Sequence, residues 1–367
     1  MQRFFCQTEI VYGAGALDAL QEEAVHSVLI VSDPFFAKNG EAARIGALIP
    51  GASVTIFGDV MPDPTLELVT QGLALLQQCR PELLIALGGG SAIDCAKAMI
   101  CLTENRPRFC AIPTTSGTGS EVTGVAVIRD ESRDLKLEFI STNIQPDIAV
   151  LDPEMTVSMP PKVTASTGMD ALCHAVEGYT CLQKNPLSDA YATTALRLIS
   201  ENLLKATKDG SDTDARIAMA NAALMAGISF SNSMVGIVHG IGHALGAVSR
   251  VPHGVAMNIL LPHCMMYNMD VCKAGYADLL LYLAGPEIYA ATPESDRAYS
   301  CVRFIRHLSE QLHDLCGLPL TLSEAGVREE DFPRIAEASL RDGANLVNPK
   351  YVDRDVILSI LNRAYRS

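Results

Sequence analysis

Leu83-Leu84-Ile85-Ala86-Leu87-Gly88-Gly89-Gly90-Ser91-Ala92-Ile93-Asp94-Cys95-Ala96-Lys97 is the stretch whose reading decides the fold. An apolar run, three glycines and an amphipathic run read as strand, tight turn and helix. Glycine lets the backbone approach an anion closely, and a helix N-terminus offers unpaired N–H groups and a favourable dipole. Ser91 and Asp94 have the spacing of a capping box. The turn is not GxGxxG, so by itself it fits a capped turn as well as a phosphate cradle.

On either side of this unit the same alternation recurs. Ser27–Val31, Ser53–Phe57, Cys110–Ile112 and Ile148–Leu151 read as strands, and Thr65–Gln78 and Ala92–Leu102 as helices. Strand–helix alternation implies crossovers and a mostly parallel sheet. A hairpin is expected at Gly124–Ile128 and Leu135–Ile140, joined by a charged turn through Arg129–Asp134. After Pro160-Pro161 the strand signals stop. Helical patterns follow at Lys162–Thr180, Leu187–Thr207, Asp214–Ser229, Gly254–Tyr267 and Tyr299–Leu315. The expectation is an α/β domain over 1–157 and an all-helical domain over 158–367, as the length of 367 residues also suggests.

Composition excludes several functions. Lys and Arg number 28 against 42 Asp and Glu, a net charge of −14, which disfavours a nucleic-acid surface. With no Trp and 5% aromatics, stacking platforms for single strands are also disfavoured. The 11 cysteines form no CxxC pair, and Met1–Glu9 has no apolar core of a signal peptide, so reduced thiols in a cytoplasmic protein are expected. Ile217–Ser249 lacks Asp, Glu, Lys and Arg, yet Asn221, Ser229, Ser231, Asn232, Ser233, His239 and His243 interrupt it. Buried helices around a functional turn are the expectation there, not a membrane span.

A second loop strengthens the reading of the first. Ile112-Pro113-Thr114-Thr115-Ser116-Gly117-Thr118-Gly119-Ser120-Glu121 is dense in hydroxyls and follows a strand. Two such loops at strand ends point to a nucleotide, because ligands collect at that edge of an α/β sheet. Asp33 follows the strand Ser27–Ser32, where a carboxylate accepts from ribose hydroxyls and repels a 2′-phosphate; as a bare pattern, a turn residue before Pro34 is the favoured reading.

The helical half carries a different chemistry. Asp170 and His174 are four apart, as are His239 and His243, so each pair shares a helix face. His253 and His263 follow. Buried ionisable groups need partners, and one divalent cation satisfies them together. Carboxylate oxygen with imidazole nitrogen suits Fe²⁺ or Zn²⁺ better than Mg²⁺. Spacing does not decide which histidines bind.

Val150-Leu151-Asp152, Met159-Pro160-Pro161, Ala165 to Glu177 (ASTGMDALCHAVE), Gly236 to Gly246 (GIVHGIGHALG) and Pro252-His253-Gly254-Val255-Ala256 together resemble the iron-containing (group III) alcohol dehydrogenase family. The Gly88-Gly89-Gly90-Ser91 turn and the Thr114–Thr118 loop match its nucleotide segments; Ala92 stands where members often have Pro. The resemblance spans nearly the whole chain and is weakest at the C-terminal end. It implies a Rossmann-like domain plus a helical domain, a dehydroquinate synthase-like architecture that is usually dimeric, with the site in the cleft between the two. It gives Asp170, His174, His239 and His253 to the metal, and His243 to the nicotinamide as a proton relay. His263 falls outside the ligand set. Asp33, Gly88, Gly89, Gly90, Ser91, Thr114, Thr115, Thr118 and Lys136 fall on contacts of NAD, with Thr156 and Met159 as weaker matches. The implied activity is hydride transfer between a primary alcohol or aldehyde and NAD(H), with Fe²⁺ as the metal and Zn²⁺ as the alternative. A glycerol-type polyol dehydrogenase, a dehydroquinate-synthase-like cyclase and a non-catalytic metal-binding protein on the same fold are the competing readings.

Overall fold

The structure, a computed structural model, describes residues 3–132 and 135–366. Its chain forms two compact units, one of residues 6–159 and one of residues 3–5 with 160–366. Residues 3–5 join the second unit through specific contacts: the Phe5 N–H donates to Asn232 Oδ1 (2.7 Å), and Phe4 stacks on Tyr191.

The first unit is built on a six-stranded parallel sheet. Its strands are β1 (Glu9–Tyr12), β2 (Ser27–Ser32), β3 (Ser53–Phe57), β4 (Leu83–Gly88), β5 (Arg108–Pro113) and, after a separate hairpin of β6 (Val125–Asp130) and β7 (Leu135–Ile140), β8 (Ile148–Leu151). The order across the sheet is β1-β8-β5-β4-β2-β3. Four helices accompany them: α1 (Pro34–Lys38), α2 (Glu41–Ala47), α3 (Leu66–Cys79) and α4 (Gly90–Cys101). Side chains alternate across a strand, so the sheet carries two cores. Leu29, Val31, Leu84, Ala86, Phe109 and Ala111 pack on one face, and Val28, Ile30, Leu83, Ile85, Cys110 and Ile112 on the other. Burial on both faces is why β4 reads as an unbroken apolar run. Arg133 and Asp134 of the expected hairpin turn lie outside the described residues.

Two local expectations are corrected here. The Ser91–Asp94 capping box does not form: Gly89 is the N-cap of α4, without a side-chain cap. Ser91 lies inside the first turn and accepts from the Asp63 N–H, while Asp94 turns to the Ser120 hydroxyl and the Val127 N–H. Asp33 is more than a turn residue, since its Oδ1 caps α1 by accepting from the Phe35 (2.8 Å) and Phe36 (3.0 Å) N–H groups.

Among the described residues no strand follows Leu151. The second unit consists of α5 (Pro161–Thr180), α6 (Pro186–Lys208), α7 (Thr213–Ser233), α8 (Ile237–Ser249), α9 (His253–Ala291), α10 (Arg297–Cys316), α11 (Phe332–Ser339) and α12 (Arg354–Arg366). Pro begins α5 and α6, where its missing N–H costs nothing. The helical pattern in the sequence covers Gly254–Tyr267 of α9. Asn268, just beyond it, is buried, and its amide exchanges two hydrogen bonds with the Asn348 amide (2.9 and 3.0 Å), so the helix continues until Gly285 kinks it. The uncharged stretch becomes α7 and α8, bent by 106°. Among the described residues no single helix is long and apolar enough to cross a membrane, although this bent pair passes on length and composition.

Candidate metal centre and nucleotide loops

Asp170, His174 and Glu177 stand at i, i+4 and i+7 of α5 and so share one face. His239 and His243 occupy the first turns of α8, and His253 is the first residue of α9. These elements meet closely: a Cβ on Gly254 would stand 2.3 Å from the Ser166 carbonyl oxygen, so only glycine lets α9 begin against α5.

One ligand atom from each of Asp170, His174, His239 and His253 lies within 4.8 Å of the other three. Asp170 Oδ1 is 3.9 Å from His174 Nδ1, 3.9 Å from His239 Nε2 and 3.2 Å from His253 Nε2. Donors about 2.1 Å from a common tetrahedral centre stand about 3.4 Å apart, so the spacing fits one divalent ion. Three of these atoms, Asp170 Oδ1, His174 Nδ1 and His239 Nε2, are buried without a hydrogen-bond partner. Buried polar atoms are rarely left so, and a cation is the partner this donor chemistry suits. Burial, opposed by the neighbouring Asp170, lowers the His174 pKa to about 3, and burial also holds His239 far below its ordinary value. Burial alone would raise the Asp170 pKa, but His174, His253 and His239 outweigh it and hold the carboxylate ionised. Neutral imidazoles around a carboxylate are the protonation states that ligation requires. Phe230 stacks on the His174 ring at 4.3 Å and covers one face of it.

Glu177 was overlooked as a functional residue. Its Oε2 is 2.5 Å from His239 Nδ1, and Oε1 accepts from the Val238 N–H (2.8 Å). It therefore fixes the His239 ring with Nε2 toward Asp170, and it caps α8, whose N-cap Gly236 has no side chain to do so. The i+7 spacing from Asp170 was the available signal. Glu177→Ala is expected to weaken metal binding about 10–100-fold. Metal titration of the chelated protein measures this, and unchanged affinity would refute the orienting role.

His243 does not join this cluster of four. Its Nδ1 is 2.8 Å from Asp342 Oδ2, a second residue missed, because no local pattern links positions so far apart. His243 and His253 stack at 5.3 Å, which keeps His243 beside the cluster. His263 is buried further along α9.

In the first unit, Gly88 is the last residue of β4, and Asp33 and Thr114 directly follow its neighbours β2 and β5. The sheet grows in opposite directions from the β2–β4 pair, and such a switch point is where α/β sheets take ligands. Thr114 donates its N–H to the Gly88 carbonyl (3.0 Å). Cβ atoms on Gly89 and Gly90 would stand 3.0 Å from Thr115 Oγ1 and 2.7 Å from Thr118 Cγ2, so the two loops form one surface. The Asp33 Oδ2 lies 3.6 Å from the Cβ position of Gly88. Lys136 reaches the same region from β7 by pairing with Asp63 at 2.8 Å, and the Asp63 N–H contacts Ser91. Ser116, not singled out from the sequence, has a buried hydroxyl without a partner. Thr156 spends its hydroxyl on the Pro153 carbonyl, and Met159 is buried.

Comparison with known proteins gives this geometry its family. The model of the iron-containing alcohol dehydrogenases matches residues 7–153, and that of the C-terminal part of the Fe-containing alcohol dehydrogenase family matches residues 164–365. The chain belongs to the iron-containing alcohol dehydrogenase family and is an oxidoreductase of that class. It is 33% identical to the NADPH-dependent butanol dehydrogenase of Clostridium saccharobutylicum, over 100% of this chain and 98% of that one. It is also 33% identical to the NAD-dependent methanol dehydrogenase of Bacillus methanolicus, over 99% of this chain and 100% of that one. The structure of an alcohol dehydrogenase from Oenococcus oeni superposes with a TM-score of 0.93 at 30% identity, covering 100% of both chains.

Proposed function

We propose that this enzyme transfers a hydride between a primary alcohol or its aldehyde and NAD(H), with Fe²⁺ held by Asp170, His174, His239 and His253. The observation that carries the reading is the set of three orphaned buried donor atoms on Asp170, His174 and His239. When bound, the metal supplies Lewis acidity toward the alcohol oxygen and the nicotinamide supplies the hydride acceptor. The chain's own part is to bind, orient and move the proton. The unit of residues 160–366 holds the metal ligands and that of residues 6–159 the nucleotide loops. Asp33, Gly88–Ser91, Thr114, Thr115, Thr118 and Lys136 serve the cofactor, with Ser116 added to them.

His243 takes the proton released by the alcohol. Asp342 is kept ionised: burial opposes this, but the His243 hydrogen bond and charge outweigh it. The carboxylate holds a proton on His243 Nδ1, which leaves Nε2 as the base. We take the working form to be a homodimer, which light scattering tests. Chelated protein reloaded with Fe²⁺ or Zn²⁺ and offered a panel of primary alcohols and aldehydes tests the reaction, read by the near-ultraviolet absorbance of reduced nicotinamide. Protein that binds metal and NAD but turns over no alcohol or aldehyde would favour the non-catalytic reading.

The cofactor choice has its own test. The Asp33 carboxylate repels a 2′-phosphate, so NAD(H) is expected to outperform NADP(H). Asp33→Gly should relax the preference, at a cost of a few tenths of a kcal/mol for the lost cap of α1. The ratio of kcat/KM for the two cofactors measures this, and a wild-type preference for NADP(H) would overturn the placement.

A further inference from the structure

Lys97 is fully buried in α4, and its ammonium plays no part in the chemistry described above. All three of its donors are used: on Ser120 Oγ (2.8 Å), Thr123 Oγ1 (2.9 Å) and the Val125 carbonyl (2.8 Å). One turn earlier, Asp94 accepts hydrogen bonds from the Ser120 hydroxyl (2.6 Å) and the Val127 N–H (3.0 Å). Burial pulls the Lys97 pKa down to about 8 against the opposing charges of Asp94 and Glu121. A buried polar network whose members are all hydrogen-bonded rigidifies its surroundings and so fixes geometry. Here the geometry reaches the nucleotide loop. The Ser120 N–H donates to Thr118 Oγ1 (3.2 Å), and Thr118 is the side chain that crowds Gly90 at the start of α4. The loop after β5 is thus tied to Gly88 at its beginning and to Lys97 and Asp94 at its end.

We propose that Lys97, with Asp94, is a positioning residue that sets the shape of the dinucleotide phosphate cradle by holding Ser120 and Thr118 against the Gly88–Gly90 turn. The inference rests on the reading of these loops as the cofactor site. Lys97→Met keeps the length and removes the donors. Its NADH Kd, from fluorescence titration of the metal-loaded enzyme, should rise about 10–100-fold, with the KM for NAD rising in parallel. Turnover at saturating cofactor, alcohol KM and metal content should stay near wild type. An unchanged NADH Kd with a lowered Tm would overturn the proposal by leaving Lys97 a purely structural role. Should Lys97→Met fail to fold, Ser120→Ala removes one hydroxyl of the network and should weaken NADH severalfold; unchanged binding overturns the proposal equally. Gly90→Ala, whose Cβ would stand 2.7 Å from Thr118 Cγ2, separates the two levels. Weakened NADH binding there with none in Lys97→Met defeats the positioning role alone. Unchanged binding in Gly90→Ala defeats the cofactor reading and the proposal with it.

Discussion

His174→Ala is expected to purify without metal and without turnover. The substitution removes one of four clustered side chains and leaves Asp170 Oδ1 facing His253 Nε2 at 3.2 Å, with His239 Nε2 still buried without a hydrogen-bond partner. It also empties the space beneath Phe230, which stacks on the imidazole. Loss of an outer partner costs about 10–100-fold in metal affinity, and loss of a ligand itself should exceed that. The metal's contribution to stability should vanish with it: chelation should lower the Tm of the wild type and leave that of His174→Ala unmoved. Metal content by elemental analysis, beside activity with added Fe²⁺, decides the matter. A mutant that keeps both metal and activity would remove the site from the four residues.

The pair His243→Ala and His253→Ala should split cleanly. His253 Nε2 faces Asp170 Oδ1 at 3.2 Å, whereas His243 Nδ1 is engaged by Asp342 at 2.8 Å. His243→Ala should therefore retain metal and lose turnover by a factor of about 10²–10⁴, the range for a lost acid–base group, or less if water substitutes. His253→Ala should lose metal. Asp342→Asn should fall between wild type and His243→Ala at retained metal, because it disturbs the tautomer and leaves the imidazole in place. The reverse pattern, with metal lost from His243→Ala and kept by His253→Ala, would make His243 the ligand and His253 the relay.

Much of this was legible in the linear chain. The apolar stretches Ser27–Val31 and Leu83–Leu87 read as buried parallel strands, because a strand covered on both faces has no polar side to show, whereas β3 at Ser53–Phe57 is an edge strand exposed over most of its length. The short pieces escaped. Strand β1 at Glu9–Tyr12 is a half-exposed edge, and α1 and α2 are only one or two turns long, so neither presents a period to read. The i, i+4 pairs Asp170–His174 and His239–His243 marked helix faces that carry chemistry, since one or two helical turns fall within the range of a local pattern.

That range is also where the linear reading ended. Residues 170, 239, 253 and 342 are brought together by α5, α8 and α9 crossing and by the segment after α11, and no period connects them. His239 and His243 carry the same spacing signal, yet tertiary structure gives them different partners: Glu177 on one side and Asp342 on the other. Ser91 and Asp94 satisfied a capping pattern, but a fully buried Lys97 nearby and the incoming Ser120 offered Asp94 a better partner than the end of its own helix. A local motif states what a side chain can do within a few residues. Which option it takes is settled by the strongest partner the folded chain brings within about 3 Å.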